Sequence, residues 1–537
     1  MVKKMTKSRF LVFAVGIAVI GAGCRPAVDY TPGIALNPAS VSFLTGSETE
    51  PLRPLVEQYA RKAGVQVTFE SKGAVDIMLG LKSGDNRYDA IWPSNSMWVT
   101  LGGNSQVKEG QSIMRTPVIL WVKRSTAKEL GWIGKTVKMQ DILPANQSGK
   151  LNMLVTSATQ SNSGASAYFG YLSAFSGAPA VLGEEHLNRP DVRKKIKSFY
   201  DNIKHSFGSS KWAKDYFIDH YDEFNSMINY ESMGIEANRT LASSGREPLY
   251  AVYPVDGLTI ADCPMYYVDH GDDKKHQFIR GLQQFLQSPE AQQEIMRQGW
   301  RVGAAGMGTA SNDSAAFSPD WGVDMKRVLQ PIRFPSPQVI EKGLSLYQTV
   351  LRRPIARAYC LDFSGSMEGE GQRQVKQAMR LILDPEEARK HFLDIGPDDI
   401  TVVITFDSEV IHQWVVRGND PKELRDLNAK VQAESIRGGT DIFLPVEEAI
   451  GYFKSIPNLE RHMVSVELMT DGRSDSGSVE EVMAKMSQTG VKVPVYSIGF
   501  GDADDSQLQE IAKRTSAKYF DGKKDLVKTF REVSGYN

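Results

Sequence analysis

Residues 356–363 read ARAYCLDF, and Ser364, Gly365 and Ser366 follow directly. The first part is an apolar run of strand length, and it leads into an Asp-x-Ser-x-Ser motif with one carboxylate and two hydroxyls at alternate positions. In an open α/β sheet, ligands bind in the crevice at the carboxyl ends of the strands. The stretch therefore predicts a buried strand whose C-terminal end carries a polar site formed by Asp362, Ser364 and Ser366.

Two later turns provide oxygen ligands of the same kind. Thr440 lies in RGGTD (437–441) before a helical stretch, and Asp471 lies in LMTDG (468–472) after another apolar strand. Hydroxyl, carboxylate and water oxygens are hard ligands that suit Mg²⁺, or Mn²⁺, in octahedral geometry. With so few protein anions the cation keeps residual positive charge, so a partner's carboxylate can act as the sixth ligand. Asp441 is expected to cap the following helix.

The elements DFSGSM, GGTDI and TDGRSD have the order and spacing of the von Willebrand factor type A domain, which the chain resembles up to its end. The resemblance implies a doubly wound, Rossmann-like α/β fold with a metal-ion-dependent adhesion site. It also implies that Asp362, Ser364 and Ser366 contact the metal directly or through water, with Thr440 and Asp471 completing the shell. Helix capping would explain a single Asp-x-Ser-x-Ser tripeptide, but not three matching loops. We see no nucleophile–base pair, so this part is predicted to be a binding module.

Residues 41–303 alternate short β-like runs with amphipathic helical stretches, which predicts a parallel or mixed sheet with helices on its faces. Several strand-to-helix turns are rich in hydroxyls: TGSE (45–48), SNS (94–96) and TSATQSNSGA (156–165). The backbone N–H groups at such helix starts bind polar or anionic ligands. The alternative is that these serines only cap helices, because SETE (47–50) is also a capping box.

This segment resembles a type 2 periplasmic solute-binding protein, the receptor of ATP-driven importers. The matching stretches, in the order of that family, are FLTGSE, YDAIWPSNSMW, TPVILWVK, TSATQSNSGASAY, INYES, AVYPVDG and FLQSPEAQQEIMRQGWR. The resemblance implies two α/β lobes joined by a hinge, which close on a ligand. It implies ligand contacts at Ser47, Ser94, Ser96, Asn162, Ser163, Glu231 and Tyr253. Hydroxyl-lined sites of the family often hold oxyanions, but Glu48 and Glu50 beside the first loop would repel one.

The N-terminus predicts export and a tether. Basic residues precede residues 10–23 (FLVFAVGIAVIGAG), an uncharged run shorter than the roughly 20 residues of a bilayer span. The run leads into Cys24 through GAG, which resembles the lipobox of bacterial lipoproteins, with Gly21 in place of the usual Leu. The resemblance implies acylation of Cys24. An ordinary cleaved signal peptide and an uncleaved anchor remain alternatives. Cys263 and Cys360 are predicted to be buried thiols.

The predicted order of segments is a signal peptide (1–23), a tether (24–40), a two-lobed solute-binding domain (41–303), a connector (304–353) and a von Willebrand factor type A domain (354–537). Lys plus Arg number 63 and Asp plus Glu number 64, giving a formal net charge of -1. This balance does not favour nucleic-acid binding, which needs a basic surface.

We therefore expect an extracytoplasmic binding lipoprotein, at the bacterial cell surface or in the periplasm, that is not an enzyme. Its cleft would take a small solute, and its magnesium site would bind a protein partner's carboxylate. A second hypothesis is the solute receptor of an ATP-driven importer that uses the C-terminal domain for docking. An enzyme is disfavoured because no triad, paired-carboxylate cleft or catalytic-zinc pattern is found. A further alternative is a cleft that has lost its solute and serves as a spacer or a protein-binding surface.

Overall fold

The computed structural model describes residues 40–303, 316–325, 327–474 and 476–535. The predicted signal peptide, Cys24 and the predicted tether up to residue 39 lie outside the described residues. Within these ranges no helix is both long enough and apolar enough to cross a membrane.

The N-terminal domain alternates strands with helices over residues 40–303. Its strands are β1 (Ser40–Thr45), β2 (Gln66–Ser71), β3 (Ala90–Trp92), β4 (Val107–Ser112), β5 (Thr116–Lys123), β6 (Met153–Thr156), β7 (His205–Phe207), β8 (Ser226–Tyr230), β9 (Leu249–Val252), β10 (Thr259–Ala261) and β11 (Pro264–Val268). Its helices are α1 (Arg53–Ala63), α2 (Ala74–Lys82), α3 (Ser96–Gly102), α4 (Arg124–Glu129), α5 (Met139–Gln147), α6 (Asn162–Phe175), α7 (Glu184–Leu187), α8 (Pro190–Asp201), α9 (Ser210–Asp219), α10 (Glu231–Ser243), α11 (Asp273–Leu286) and α12 (Pro289–Arg297).

These strands form two sheets, and each sheet is the centre of one lobe. Lobe 1 has the strand order β2-β1-β3-β11-β4, and lobe 2 has the order β10-β5-β8-β6-β7, with β9 also paired to β5. The chain passes from lobe 1 to lobe 2 between β4 and β5 and returns between β10 and β11. Two short crossings of this kind form a hinge, as the predicted two-lobed fold requires.

The connector packs along the N-terminal domain. It contains α13 (Pro337–Leu346), which continues as a π-helical turn over Tyr347–Leu351. The hydroxyl of Tyr168 in lobe 2 donates to the carbonyl of Gly343 at 2.9 Å. Lys82 of lobe 1 pairs with Glu341 of α13 at 2.6 Å. Helix α13 therefore contacts both lobes.

The C-terminal domain is the predicted doubly wound α/β fold. Its strands are β12 (Ile355–Asp362), β13 (Ile400–Phe406), β14 (Val410–Arg417), β15 (Met463–Thr470), β16 (Val495–Gly499) and β17 (Tyr519–Asp521). Its helices are α14 (Glu370–Leu383), α15 (Pro385–Lys390), α16 (Pro421–Ala433), α17 (Leu444–Ser455), α18 (Val479–Thr489), α19 (Asp505–Arg514) and α20 (Leu526–Val533). The sheet order is β14-β13-β12-β15-β16-β17, and only β14 is antiparallel to its neighbour.

Strand β12 is buried along its whole length because it lies in the middle of this sheet, between β13 and β15. Strands covered by helices on both faces are continuously apolar, which explains the sequence of residues 356–363. Cys360 of β12 and Cys263 of the N-terminal domain are both buried and free, which confirms the prediction for these two thiols.

Candidate functional site

The predicted metal ligands converge at the carboxyl edge of the C-terminal sheet. Asp362 is the last residue of β12, and Thr470 is the last residue of the parallel neighbour β15. The amide of Gly365 donates to the carbonyl of Gly438 at 3.1 Å, which holds the DFSGS turn against the RGGTD loop. Because the ends of adjacent parallel strands meet at one edge, ligands far apart in sequence become neighbours.

Hydrogen bonds link the acidic and hydroxyl side chains of this site directly. Ser366 Oγ lies 3.1 Å from Ser364 Oγ and donates to Asp471 Oδ1 at 2.7 Å. Asp362 Oδ1 accepts the amide of Ser364 at 2.8 Å, and its Oδ2 accepts the hydroxyl of Thr470 at 2.5 Å. Thr470 is not among the ligands predicted from the sequence, although its position at the end of a strand and next to Asp471 makes it a candidate for this site.

Thr440 completes the group from the opposite loop. A Cβ placed on Gly472 would lie 3.2 Å from Ser366 Oγ and 3.4 Å from Thr440 Oγ1. The backbone of Gly472 thus lies against both hydroxyls, which places Thr440 beside the hydrogen-bonded group formed by the other four predicted ligands. Asp441 points elsewhere: its Oδ1 accepts the amides of Phe443 and Leu444 at the start of α17.

The charges of the predicted metal ligands favour a bound cation. Asp362 is fully buried, and this burial raises its pKa to about 6, with nearby Asp471 as a smaller cause in the same direction. Burial also raises the pKa of Asp471. Two carboxylates and three hydroxyls without a basic side chain among them form a donor set of hard oxygens, which fits Mg²⁺ or Mn²⁺.

The second site is the cleft between the lobes of the N-terminal domain. A cavity of about 280 Å³ lies there. Its hydroxyl and amide lining consists of Ser47, Ser71, Ser94, Gln160, Ser161, Asn162, Ser209 and Ser210. The lobes touch across it, since Ser47 Oγ lies 3.2 Å from Ser209 Oγ and Trp98 Nε1 donates to Asn162 Oδ1 at 2.8 Å. The described conformation is therefore closed.

The hydroxyl network of lobe 2 is denser than the sequence indicated. Ser163 Oγ lies 2.6 Å from Ser210 Oγ, 2.7 Å from Thr156 Oγ1 and 3.1 Å from Ser161 Oγ. Ser163 is thus beneath the lining, whereas Ser161 and Ser210 face the cavity. Ser210 is not among the residues predicted from the sequence. Its stretch GSS (208–210) nevertheless lies between a short strand and the start of a helix, as the predicted serine-rich turns do.

The capping interpretation does not hold for the serines on which it rested. Gly46 precedes the 3₁₀ turn Ser47–Leu52, and no side chain caps that turn. Helix α6 also begins without a side-chain cap. Ser47 and Ser163 bond to other hydroxyls instead.

Besides Ser163, three predicted cleft residues lie away from the cavity lining: Ser96, Glu231 and Tyr253. Glu231 is fully buried; its two carboxylate oxygens accept Arg301 Nε at 2.7 Å and Arg301 Nη2 at 2.8 Å. The hydroxyl of Tyr253 also donates to Glu231. Ser96 starts α3, and its amide donates to Asp262 Oδ1 at 2.8 Å. Glu231 and Tyr253 therefore belong to a buried ion-pair cluster outside this cavity lining.

Glu48 faces the cavity and accepts the hydroxyl of Ser94. Its burial raises its pKa above the ordinary 4.5. Because folding raises the pKa of Glu48, this group does not lower the stability of the folded state below its unfolded pKa. The stability falls as the pH rises through the folded pKa, because the buried carboxyl group must then become charged.

We expect Glu48→Gln to melt a few degrees higher than the parent chain at pH 8, because the buried carboxylate is gone. The two chains should melt alike near pH 4.5, the ordinary pKa of this group. Scanning calorimetry at both values measures the difference. Glu57→Gln is the matched control in lobe 1, with a side chain 46% exposed. A lower melting temperature for Glu48→Gln at pH 8 would show that the charged form is stabilised there.

Comparisons with known proteins agree with both domains. Residues 42–301 match the family of bacterial extracellular solute-binding proteins. Residues 358–532 match the von Willebrand factor type A domain. A curated relative, inter-alpha-trypsin inhibitor heavy chain H1 of Bos taurus, is 28% identical over 163 residues, which are 28% of this chain and 17% of that protein. The chain spans less than half the length of the curated relatives it matches.

Solved structures similar to the chain include both types of domain. A von Willebrand factor type A protein of Catenulispora acidiphila is 17% identical with a TM-score of 0.30, covering 35% of this chain and 43% of that one. A solute-binding protein of an ABC transporter from Thermotoga lettingae is 13% identical with a TM-score of 0.40, covering 58% of this chain and 94% of that one. By these matches the chain contains a domain of the bacterial extracellular solute-binding family, residues 42–301, which implies an extracytoplasmic location, followed by a von Willebrand factor type A domain, residues 358–532.

Proposed function

We propose that this chain is a membrane-tethered binding protein with two binding sites. The cleft of the solute-binding domain takes a small, uncharged polar solute. The adhesion site of the von Willebrand factor A domain holds Mg²⁺ or Mn²⁺ and through it a carboxylate of a protein partner. Acylation of Cys24 would provide the tether. The observation that carries the proposal is the hydroxyl-lined cavity between the lobes.

The class of solute follows from the charges around this cavity. Its lysines all have acidic neighbours: Lys72 lies 3.6 Å from Asp85, Lys211 lies 3.0 Å from Asp215, and Lys518 lies 4.0 Å from Glu532. A charged solute would enter a cavity whose lysines already have acidic partners, and burying a charge without an unused counter-charge is costly.

The acidic side chains of the lining lead to the same conclusion. Glu50 lies 3.8 Å from Arg53, and Asp76 pairs with Arg531. The pKa of Glu48 is raised by burial. What remains for recognition is a set of serine hydroxyls and amide side chains, which can both donate and accept hydrogen bonds. A neutral polyhydroxyl compound matches this set.

The metal site supports the second half of the proposal. Asp362, Ser364, Ser366, Thr440 and Asp471 would hold the ion. The ion would supply a positive charge that accepts a partner's carboxylate. Ser366 is exposed, whereas Asp362, Ser364, Thr440 and Asp471 are buried, so the site opens to solvent on one side.

A thermal-shift panel on the full chain tests the solute class. The neutral probes are glucose, fructose and ribose, and the charged probes are phosphate, glutamate and spermidine. A compound that binds the folded state raises the melting temperature by mass action. We expect at least one neutral sugar to raise it, and we expect Ser161→Ala and Ser210→Ala to weaken binding about tenfold each.

Ser166→Ala is the matched control, because Ser166 is buried on α6 but does not line the cavity. A shift caused only by charged probes would contradict the proposed class. No shift with any probe would favour a cleft that has lost its solute.

A further inference from the structure

The von Willebrand factor A domain reaches into the mouth of the cleft. Lys518 and Glu532 line the same cavity as Ser47 and Ser210. Close to them, Gln160 of lobe 2 donates its Nε2 to the backbone carbonyl of Arg531 at 2.9 Å. The cavity is therefore bordered by three bodies: lobe 1, lobe 2 and the second domain.

The second domain is fixed to lobe 1 by charge. Lys528 of α20 pairs with Glu70 at the end of β2, and Arg531 pairs with Asp76 in the first turn of α2. Arg531 is buried at this contact. Asp76 itself lines the cavity, and Glu70 directly precedes Ser71 and Lys72, which also line it.

The same domain also contacts lobe 2. His220 Nε2 lies 3.2 Å from Ser516 Oγ. The rings of Trp212 and Tyr496 meet edge to face with centroids 6.2 Å apart. Arg353, the last residue of the connector, adds a bond to the carbonyl of Ile203 at 2.7 Å.

Apart from Lys528 in the first turn of α20, these contacts use the end of the domain opposite to the metal site. Lys518 precedes β17, and Arg531 and Glu532 are near the end of α20, which returns along the sheet after β17. Asp362 is the last residue of β12, and Asp471 directly follows β15. One end of the domain therefore faces the cleft while the other remains open to a partner.

We propose that Lys518 and Glu532, held in place by the contacts of Arg531, form a third wall of the solute cleft, and that this wall controls access to the cavity. The lobes cannot separate while one rigid body is attached to both, so the contacts with at least one lobe must break before the cleft opens. A solute enters or leaves when the von Willebrand factor A domain moves. The inference rests on the proposed function for the role of the cleft, but the wall can be tested without any solute.

Thiol labelling of the full chain measures access directly. Ser47→Cys puts a reactive side chain in the cavity lining. The rate at which iodoacetamide modifies it is compared with the background labelling of the parent chain. Lys528→Glu and Arg531→Glu together turn attraction between the domains into repulsion, because Lys528 pairs with Glu70 and Arg531 pairs with Asp76, both of lobe 1. We expect this double reversal to speed labelling at least tenfold.

Two further variants decide the result. Glu70→Lys and Asp76→Lys, added to the double reversal, should restore slow labelling. Lys513→Glu with Lys523→Glu makes the same charge change away from the cleft and should leave labelling slow; Lys523 pairs with Asp505 of its own domain. Circular dichroism confirms that each chain is folded.

Fast labelling of Ser47→Cys in the otherwise unaltered chain would overturn the proposal, because nothing would then cover the cleft. Equally slow labelling in the unaltered and the reversed chains would also overturn it, since protection would then come from the two lobes alone. If no sugar raises the melting temperature, that result counts against the proposed solute class. It does not change what the labelling rates show about the wall.

Discussion

Asp362→Ala should abolish measurable binding of Mg²⁺ and Mn²⁺ by the von Willebrand factor A domain. Asp362 is fully buried and accepts bonds from Ser364 and Thr470, so it fixes two strand ends and provides one of the two carboxylates. Loss of even an outer partner of a metal ligand lowers affinity about 10- to 100-fold. We expect a loss of at least that size, measured by titration calorimetry of the full chain with each metal.

Asp502→Ala is the control for this experiment. Asp502 is exposed on the same rim, near enough to Asp471 to influence its pKa. Its removal subtracts one negative charge without removing a ligand, so the metal affinity should change only a few-fold. If Asp362→Ala binds both ions as tightly as the parent chain, the metal role of this site must be abandoned.

Glu231→Ala should destabilise the solute-binding domain by about 3–5 kcal/mol, because it leaves Arg301 as a buried charge without its partner. Both side chains are at most 2% exposed, and they are joined by two hydrogen bonds. Tyr253→Phe removes only one hydroxyl bond to the pair and should cost about 1 kcal/mol. Urea unfolding without added solute measures both free energies.

Glu290→Ala, at an exposed position in the first turn of α12, should stay within about 0.5 kcal/mol of the parent chain. If Glu231→Ala unfolds at the same urea concentration as the parent chain, the ion pair contributes nothing to folding. A role for Glu231 in solute binding would then deserve a new test.

The sequence predicted the C-terminal domain closely because its signal is local. Residues 356–363 have to be a central strand, and the three ligand loops come in the expected order, two of them after strand ends and the third between helices α16 and α17. The separation of Asp362 and Asp471 in the chain was no obstacle, because the parallel topology brings the two strand ends together.

The cleft was predicted less well because serines at helix starts have two common uses. Capping and ligand binding require the same residue types in the same turns, and only the position of each hydroxyl separates them. Glu231 could not be assigned from the sequence, since its partner Arg301 is 70 residues away. Lys518 and Glu532 could not be connected with the cleft at all, because the contact is made between two domains.

The third wall also limits how the two domains can be used as parts. The limits of the family matches, 301 and 358, suggest that either domain could be cut out and joined to another protein. A chain cut at residue 301 would lose Lys518 and Glu532 from its cavity and expose Trp212 and the acidic side chains that now face α20. Transplanting the solute specificity of this protein therefore requires the cleft and the end of the second domain to be moved as one unit.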